Sequence, residues 1–411
     1  MSNVPKLRFK EFRGDWIEKK LKSILLDFRL GGNYSNSETI NSKPLIKMGN
    51  LNRGNIVLNK IEYIADNENI DELDRIKYGD LFFNTRNTLD LVGKVAIWKN
   101  ELPDAYYNSN LMWMKYENNF FMNYRFNTFQ GIKALRRIAT GTTSVAAIYT
   151  KDLLKISFNV PEGDEQEKIA SFLASVDRKI EQLTKKEELL QQYKKGVMQK
   201  IFNQEIRFKA DDGSEFCEWE ENKLGDIGIT YNGLTGKTSE NFGSGKPYIQ
   251  YKQIFDNSRI TIDGFGYVSI EPNEKQNKVQ FGDIFFTTSS ETPNEVGFTS
   301  VLLDNVEEVY LNSFCFGYRA KSLDILNPYF AKFLFRSDNF RRKVIELAQG
   351  STRYNISKLE LMKTLIQLPC LEEQTKIANF LSAIDSKIEK VQKQLELSKE
   401  FKKALLQQMF I

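Results

Sequence analysis

The amino-acid sequence predicts an α+β protein in which two unlike domains, each a mixture of strands and helices, alternate with two long helices. Three observations support this prediction: an internal repeat, a heptad pattern of apolar residues in both copies, and strand-like phrases that return at matching places. A repeat of this size indicates one structural unit used twice. The predicted order is a first domain over 1–160, a first long helix over 161–203, a second domain over 204–368 and a second long helix over 369–411.

The repeat is clearest where each long helix is predicted to begin. The phrase PEGDEQEKIASFL, which starts at Pro161, returns without a gap as PCLEEQTKIANFL, which starts at Pro369, an offset of 208 residues (from 161 to 369). The domains that precede these phrases match only in scattered landmarks. Two similar helices and two dissimilar domains indicate a protein that holds two different recognition surfaces on one scaffold.

Apolar residues recur at alternating steps of four and three along both long segments. The seam comprises Ile169, Leu173, Val176, Ile180, Leu183, Leu190, Val197 and Ile201 in the first copy, and Ile377, Leu381, Ile384, Ile388, Val391, Leu395, Leu405 and Met409 in the second. An average spacing of 3.5 residues is typical of a coiled coil. A lysine interrupts each seam at an equivalent position, Lys194 and Lys402. We therefore favour pairing of the two helices with each other; the alternative is two separate amphipathic helices, each lying on its own domain.

Further apolar residues flank both seams, so each apolar face is wider than a two-helix seam needs. They are Phe172, Leu189, Tyr193, Met198 and Phe202 in the first copy, and Phe380, Leu397, Phe401 and Leu406 in the second. We expect this surplus to contact the helices of a partner protein or the base of the adjacent domain.

The two domains share landmarks in the same order. Each has an RFK phrase (at Arg8 and Arg207), a Trp followed by a Leu (Trp16 and Leu21, Trp219 and Leu224), a Gly-Asp turn that leads into an apolar strand (at Gly79 and Gly282), a polar loop, a helical stretch (Tyr124 to Ala139, Pro328 to Ala348) and a small polar loop. The RFK phrase follows the first long helix in the second copy. The same context in the first copy requires the N-terminus to lie near the end of the second long helix, in a circular, pseudo-twofold arrangement.

The composition narrows the function. The chain has 411 residues and no histidine, which excludes Ser-His-Asp and Cys-His nucleophiles and His-ligated metals. Its three cysteines, Cys217, Cys315 and Cys370, are scattered, which favours a reducing cytoplasm over a disulfide framework. No run of about 18 apolar residues and no signal-peptide core occur, so we expect a cytoplasmic protein without a membrane segment. The net charge of +4 is compatible with DNA binding without requiring it.

The repeated Pro-x-x-x-Glu-Gln-x-Lys-Ile-Ala-x-Phe-Leu phrase, the Gly-Asp strands, the polar loops and the repeat plan together resemble the specificity subunit of type I restriction–modification enzymes. The resemblance covers essentially the whole chain. It implies two target-recognition domains, each recognising one half of a bipartite, asymmetric DNA target. It also implies two long helices that pair as an antiparallel coiled coil, fix the spacer between the half-sites and dock the methyltransferase subunits.

That family is not itself catalytic, so the resemblance implies that this chain is not an enzyme and carries no cofactor of its own. The expected partners are double-stranded DNA, methyltransferase (modification) subunits, two in number, and restriction subunits that translocate and cleave DNA. S-adenosylmethionine, ATP and Mg²⁺ are expected on those partner subunits. Two alternatives stay open: a fused methyltransferase–specificity enzyme, and a coiled-coil adaptor that binds proteins without sequence-specific DNA recognition.

The motif search argues against an enzyme. Asn327–Pro328–Tyr329–Phe330 is one proline short of an adenine-N6 methyltransferase motif and fits a helix start, with Asn as the cap and Pro in the first turn. Gly236–Lys237–Thr238 resembles the end of a phosphate-binding loop, but Tyr231 occupies the place of the required first glycine.

Candidate DNA-contacting residues come from the polar loops and strand ends of both domains. Arg can pair with guanine and Asn or Gln with adenine, whereas Ser, Thr and Lys more often hold phosphates. Arg86 and Arg353 are the strongest candidates; the alternative is that these residues are solvated turn formers. The full set is Lys47, Asn50, Asn84, Thr85, Arg86, Asn87, Thr142, Thr143 and Ser144 in the first domain, and Tyr251, Lys252, Gln253, Thr287, Thr288, Ser289, Ser290, Thr352, Arg353 and Tyr354 in the second.

Overall fold

The computed structural model describes residues 4–411 of the chain. These residues form two compact units. The first unit comprises the described residues up to Thr184 together with Lys393–Ile411, and the second comprises Lys185–Gln392. We call residues 4–160 the first head and residues 204–368 the second head. The part of the chain that the structure describes has no helix that is both long enough and apolar enough to cross a membrane.

The first unit contains fourteen short strands and the helices of the first head. Its helices are α1 (Leu21–Ile24), α2 (Asn119–Phe126), α3 (Phe129–Ile138) and α4 (Thr150–Leu153), and the long helix α5 (Gly163–Phe202) begins here. Its strands are β1 (Ile17–Lys20), β2 (Asp27–Leu30), β3 (Asn36–Ser37), β4 (Pro44–Ile46), β5 (Gly54–Asn55), β6 (Glu62–Ile64), β7 (Leu81–Asn84), β8 (Arg86–Asn87), β9 (Val95–Ile97), β10 (Tyr106–Tyr107), β11 (Leu111–Lys115), β12 (Thr140–Gly141), β13 (Ala146–Ala147) and β14 (Ser157–Val160). They pair as β1-β14, β10-β4-β6-β3, β2-β11-β7-β9-β5 and β12-β13-β8.

The second unit has the same plan. Its helices are α6 (Leu224–Ile227), α7 (Tyr251–Asp256), α8 (Pro328–Leu334), α9 (Asp338–Glu346) and α10 (Lys358–Met362), and the long helix α11 (Leu371–Gln408) begins here. Its strands are β15 (Glu220–Lys223), β16 (Gly228–Asn232), β17 (Phe242–Ile249), β18 (Gly266–Val268), β19 (Ile284–Thr287), β20 (Ser289–Ser290), β21 (Thr299–Val301), β22 (Tyr310–Leu311), β23 (Cys315–Ala320), β24 (Tyr354–Asn355) and β25 (Leu365–Leu368). They pair as β15-β25, β16-β23-β19-β21, β18-β17-β22 and β20-β24.

The strand that follows the Gly-Asp turn is central in each head. In β7, Leu81 and Phe83 belong to one apolar cluster and Phe82 belongs to another. Because successive side chains point to opposite faces of a sheet, both faces of this strand are buried. In strand β19, Ile284 and Phe286 belong to one apolar cluster and Phe285 belongs to another, so both faces of this strand are buried as well. A central position explains why these strands appear in the sequence as continuous apolar runs without alternation.

Late in each head there are two consecutive helices, whereas the sequence indicated one helical stretch. In the first head the break falls between α2 and α3, where the Thr128 hydroxyl accepts a hydrogen bond from the Gly131 amide. In the second head Ser337 does the same for the Phe340 amide. A side-chain cap satisfies the free amides at a helix start, so each chain segment begins a new helix at its Thr or Ser.

The two long helices run antiparallel. In the first unit, Ile169 and Leu173 near the start of α5 share a core with Leu405 and Met409 near the end of α11. The reverse holds in the second unit, where Ile201 at the end of α5 shares a core with residues from the start of α11. The predicted fold class, with two paired long helices in a repeated α+β chain, is confirmed.

The lysines that interrupt the seams form ion pairs between the helices. Lys194 Nζ lies 2.5 Å from Asp385 Oδ1 in the second unit, and Lys402 Nζ lies 2.6 Å from Asp177 Oδ1 in the first. The four side chains are less than a third exposed, and Asp385 also accepts from Lys332 at 2.6 Å. A one-turn slip of the helices would separate both pairs, and we infer that they fix the register, as single polar groups do in coiled coils.

The RFK phrase and the repeated helix-start phrase bind each other. In the first unit, Arg8 donates two hydrogen bonds of 2.8 Å to the Glu165 carboxylate. In the second unit, Arg207 donates two of 3.0 Å to Glu373. The following phenylalanines pack edge to face on the helix, as Phe9 does on Phe172 with ring centroids 5.6 Å apart. The repeated motif is therefore a structural joint between a head and its long helix.

The glutamine of the same phrase ties the start of the long helix to the proline that precedes it. Gln166 Nε2 donates to the carbonyl of Pro161, and Gln374 Nε2 donates to the carbonyl of Pro369, both at 2.9 Å. Both amide side chains are buried. A buried amide needs such partners, which accounts for the strict spacing from Pro to Gln.

The N-terminal segment lies against the end of α11, as the repeat required. The Leu7 amide donates to the Gln408 carbonyl at 2.9 Å, and the equivalent contact in the continuous chain runs from the Ile206 amide to Lys200. Arg125 also donates to the carbonyl of Ile411. The N-terminus itself lies outside the described residues, but the segment that follows it, at Leu7, lies against the end of the second long helix as expected.

Candidate nucleic-acid interface

In the first head the structure brings the two predicted polar loops side by side. Strand β13 pairs with β8, so Arg86 lies opposite Ala147 and Asn87 lies opposite Ala146. The Leu89 amide also donates to the Thr143 carbonyl at 3.1 Å. These loops are about 55 residues apart in the chain, yet backbone pairing brings them together.

The second head joins its loops in the same way. Strand β20 pairs with β24, which places Ser289 opposite Asn355 and Ser290 opposite Tyr354. The Ile356 amide extends this pairing by donating to the Thr288 carbonyl at 3.1 Å. The residues that follow the central strand and those that follow the last helix pair therefore meet in both heads.

Four predicted contact residues have buried side chains: Asn50, Asn84, Thr287 and Ser290. The Ser290 hydroxyl donates to Glu295 at 3.1 Å. Asn50 accepts from the Lys47 amide and donates to the Val57 carbonyl, so it closes a turn. Asn84 accepts from the Arg86 amide, and Thr287 accepts from the Phe298 amide, at the ends of the two central strands. Such side chains shape the loops above them and do not present their polar atoms at the surface.

Several other predicted residues are at the surface but have partners within their head. Lys47 Nζ pairs with Glu62 at 2.8 Å, and the Tyr251 hydroxyl donates to the Ser289 carbonyl at 2.8 Å. The remaining members of this group are Thr85, bound to the Asn110 carbonyl, Gln253, bound to the Thr261 carbonyl, Thr142 and Ser144, bound to each other, and Asn87, bound to the Thr88 amide. These bonds order the loops.

Arg86 and Arg353 are the most available of the predicted residues. Both are exposed, and within residues 4–411 neither guanidinium has a carboxylate within ion-pair distance or a hydrogen-bond acceptor. Thr143, Lys252 and Thr352 are also exposed. An arginine with all five donors free can bind two acceptors of one ligand at once.

Three cations beside the loops of the first head were missed in the sequence. Arg53 reaches the Asp90 carbonyl, and Arg136 pairs with the exposed Asp90 carboxylate at 3.3 Å. Burial lowers the pKa of Arg53, and the charge of Arg136 lowers it further; burial, then the charge of Arg53, lowers the pKa of Lys94. Neighbouring cations lower each other's pKa when few carboxylates neutralise their charge. This cluster of Arg53, Lys94 and Arg136 therefore favours the binding of an anion. Lys94 directly follows the shared Gly93, a signal that could have revealed it.

Two partly buried arginines in the second head donate hydrogen bonds to the backbone of the polar loop and its neighbouring segments. Arg341 donates to the carbonyls of Gly297, Asn294 and Val296 at 2.7–3.0 Å. Arg336 donates to carbonyls at the end of α7 and to Thr299. Both guanidinium groups lie over the Phe298 ring, and burial lowers the pKa of each to about 10. They fix the backbone of the loop rather than contact a ligand.

Residues 13–191 and 217–399 each match the family model described as the type I restriction modification DNA specificity domain. Together these ranges cover most of the chain. The chain belongs to this family. It is a specificity subunit of a type I restriction–modification system, with two recognition domains, and subunits of this kind are non-catalytic.

Similar proteins carry the same designation. The MjaX specificity subunit of a type I restriction enzyme from Methanocaldococcus jannaschii is 26% identical over 429 residues, covering 98% of this chain and 95% of the relative. The MjaVIII specificity subunit from the same organism is 23% identical over 409 residues, covering 95% of this chain and 88% of the relative.

The fold is also similar to solved structures. The type I S subunit from M. genitalium has a TM-score of 0.61 at 15% identity and matches over 99% of both chains. A chain from a study of complex assembly and conformational transition of the type I R-M system has a TM-score of 0.54 at 17% identity, over 96% of this chain and 97% of that chain. The specificity-subunit fold therefore extends over both heads and both long helices.

Proposed function

We propose that this specificity subunit recognises a bipartite, asymmetric DNA target, with one half-site for each head. The observation that carries the proposal is the pairing of two polar loops in each head on a shared framework, with different side chains in the two copies. A shared framework gives both heads the same approach to a duplex. Different loop side chains give them different half-sites, because base-edge contacts determine sequence preference.

The charges of the first head support this assignment. Arg53, Lys94 and Arg136 lie together beside the loop that carries Arg86 and are neutralised only in part by Asp90. Phosphates supply the missing negative charge and hold the protein in register on the duplex. Arg86 then lies next to the phosphate-binding cluster with its donors free for guanine O6 and N7.

The direct test is selection of bound sequences from random DNA by the chain co-expressed with its cognate methyltransferase subunit. We expect enrichment of two unlike short motifs at one fixed spacing. A single contiguous motif would mean that one head does not recognise DNA. No enrichment from a folded complex would favour the alternative function, a coiled-coil adaptor that binds proteins only.

The Arg86→Ala variant should lose about 1–3 kcal/mol of binding free energy and relax one position of one half-site, because a bidentate base contact is removed. Competition binding against the selected site measures both effects. Arg13→Ala is a matched control, since Arg13 is exposed in the same unit but lies outside the loops. An unchanged affinity and sequence preference in Arg86→Ala would refute the assignment of this residue.

We also propose that α5 and α11 set the spacer between the half-sites. Both helices are uninterrupted over 40 and 38 residues. Adding seven residues to the middle of both helices preserves the apolar seam and lengthens each by about 10 Å. The selected spacer should grow by roughly one to three base pairs, since B-DNA rises about 3.4 Å per base pair.

The half-site sequences provide the internal control for this spacer experiment. They should stay the same in the lengthened protein, because the insertions do not touch either head. A lengthened protein that still folds and selects the original spacer would disprove the role of the helices as a ruler.

Each long helix leaves one apolar pair exposed, and we propose that these pairs dock the methyltransferase subunits. Leu189 and Tyr193 on α5, and Leu397 and Phe401 on α11, are each more than half exposed. Residues four apart lie on one face of a helix, and the two pairs occupy equivalent positions of the repeat. Two equivalent sites suit two copies of one partner. Of the other surplus apolar residues, Phe202 is buried in the second core and Phe172 and Phe380 pack on the RFK phenylalanines.

Replacing Leu189 and Tyr193 with alanine should reduce the number of bound methyltransferase subunits from two to one, and replacing all four apolar residues should reduce it to none. Native mass spectrometry counts the subunits. Gln192→Ala, an exposed polar change on the same helix, is the control. Retention of two subunits by the four-residue variant would show that docking lies elsewhere.

In this proposal the chain works in the cytoplasm and supplies recognition alone. The methyltransferase subunits bind S-adenosylmethionine, and restriction subunits bind ATP and Mg²⁺.

A further inference from the structure

The paired loops of the second head border a cleft of about 390 Å³. Its walls include the aromatic rings of Tyr251, Phe255 and Phe314, and its charged groups are Glu291, Glu295 and Arg353. Tyr251 is held in place by its hydrogen bond to the Ser289 carbonyl. The cleft is thus a shaped, partly apolar surface with both signs of charge.

The charged groups of this cleft differ in whether they already have hydrogen-bond or ion-pair partners within the protein. Glu295 accepts hydrogen bonds from the hydroxyls of Ser290 and Thr292, at 3.1 and 2.8 Å. Glu291 and Arg353 are exposed, and within residues 4–411 neither forms an ion pair. An unpaired carboxylate and an unpaired guanidinium therefore remain available to a ligand at one site.

A carboxylate without an ion-pair partner, on a surface that contacts DNA, indicates whether that surface binds phosphates or bases. It repels phosphates, so Glu291 would weaken a site that bound the backbone alone. A carboxylate becomes favourable where it accepts a hydrogen bond from a base, and in the major groove the amino donors are N4 of cytosine and N6 of adenine. Arginine prefers the adjacent O6 and N7 acceptors of guanine. A G·C pair offers both an amino donor and two adjacent acceptors.

We propose that this cleft recognises one G·C base pair of the second half-site, with Arg353 on guanine and Glu291 on the cytosine amino group. The inference rests on the proposed function, because it requires that the second head meets the major groove. It adds Glu291 to the specificity-determining residues. The corresponding loop of the first head, Asn84–Thr88, contains Arg86 and amides but no carboxylate, so the same pattern of base contacts is not expected there.

The test is sequence selection with Arg353→Ala and Glu291→Ala, each compared with the unaltered complex. Both variants should lose discrimination at the same base-pair position of the second half-site, by roughly 5- to 150-fold, since a good base contact contributes about 1–3 kcal/mol. The first half-site and the spacer should not change. Glu220→Ala, an exposed glutamate of the same unit outside the loops, should select the unaltered site.

The outcomes separate this inference from the proposed function. If Glu291→Ala binds all sequences more tightly without any change in preference, Glu291 acts only through its charge and the inference fails. It also fails if the two variants relax different positions, or none, while the unaltered complex selects a bipartite site. If the unaltered complex selects no bipartite site, the proposed function itself fails. Thermal unfolding of each variant confirms that the loops stay folded.

Discussion

Replacing Glu373 with alanine is expected to lower the free energy of unfolding of the second unit by about 3–5 kcal/mol, the usual effect of removing one partner of a buried ion pair. Glu373 is 0% exposed at the start of α11. Its carboxylate accepts two hydrogen bonds from Arg207 and a third, of 3.1 Å, from Trp219 Nε1. The variant leaves the buried Trp219 indole N–H without its acceptor, and it removes the carboxylate that joins Arg207 of the RFK segment to the helix.

Hydrogen exchange resolved along the chain measures this effect in each unit separately. Protection should fall at the start of α11 and in the RFK segment of the second unit, with the first unit unaffected. Glu372→Ala is the matched control, because Glu372 is the exposed neighbour in the same helical turn. It should cost no more than about 1 kcal/mol, the contribution of a carboxylate near a helix N-terminus. Equal effects of the two substitutions would contradict the role assigned to the buried pair.

Replacing Phe410 with alanine should destabilise the first unit by about 3–5 kcal/mol, as for other buried phenylalanines. Phe410 is 2% exposed, near the end of the chain. Its ring packs edge to face on Trp16 with centroids 6.1 Å apart, and it packs at a tilt of 35° on Phe121 with centroids 5.5 Å apart. The substitution opens a cavity next to Trp16 at the base of the first head.

Phe401 provides the matched control for this prediction. It lies on α11, nine residues before Phe410, but it is 53% exposed. Phe401→Ala should change the unfolding free energy by about 0.5 kcal/mol or less, as for other surface substitutions, while weakening methyltransferase docking. Denaturant unfolding of the purified variants and subunit counting distinguish the two roles. A large loss of stability in Phe401→Ala would mean that its side chain packs in the isolated protein.

The long helices could be predicted from the sequence because their signal is local. A step of four and three between apolar residues, repeated from Ile169 to Ile201, is evident without any knowledge of the partner. The central strands were visible for a similar reason, since Leu81–Phe83 and Ile284–Phe286 are unbroken apolar runs after a Gly-Asp turn. Both glycines of these turns, Gly79 and Gly282, have positive φ angles that other residues rarely adopt.

The interactions that a fold creates between distant segments could not be predicted in this way. Lys194 and Lys402 were visible as interruptions, but their partners Asp385 and Asp177 lie about 200 residues away and are defined only by the antiparallel register. The basic cluster of Arg53, Lys94 and Arg136 was missed because its members come from three separate segments. Some contacts predicted from the sequence are also not allowed by the fold. The side chains of Asn50, Asn84 and Thr287 belong to polar phrases of the sequence, but they are buried beneath the loops.

The division of the chain into units has a consequence for its synthesis on the ribosome. The second unit is one continuous stretch, Lys185–Gln392, whereas the first unit needs Lys393–Ile411 in its core. Domains usually fold in the order in which they emerge from the ribosome, but here the unit that begins first also needs Lys393–Ile411, which are made after the whole second unit. Until then its apolar surface around Trp16 and Leu173 lacks Leu405, Met409 and Phe410. A premature stop in the last two turns of α11 would therefore damage the head that was translated first.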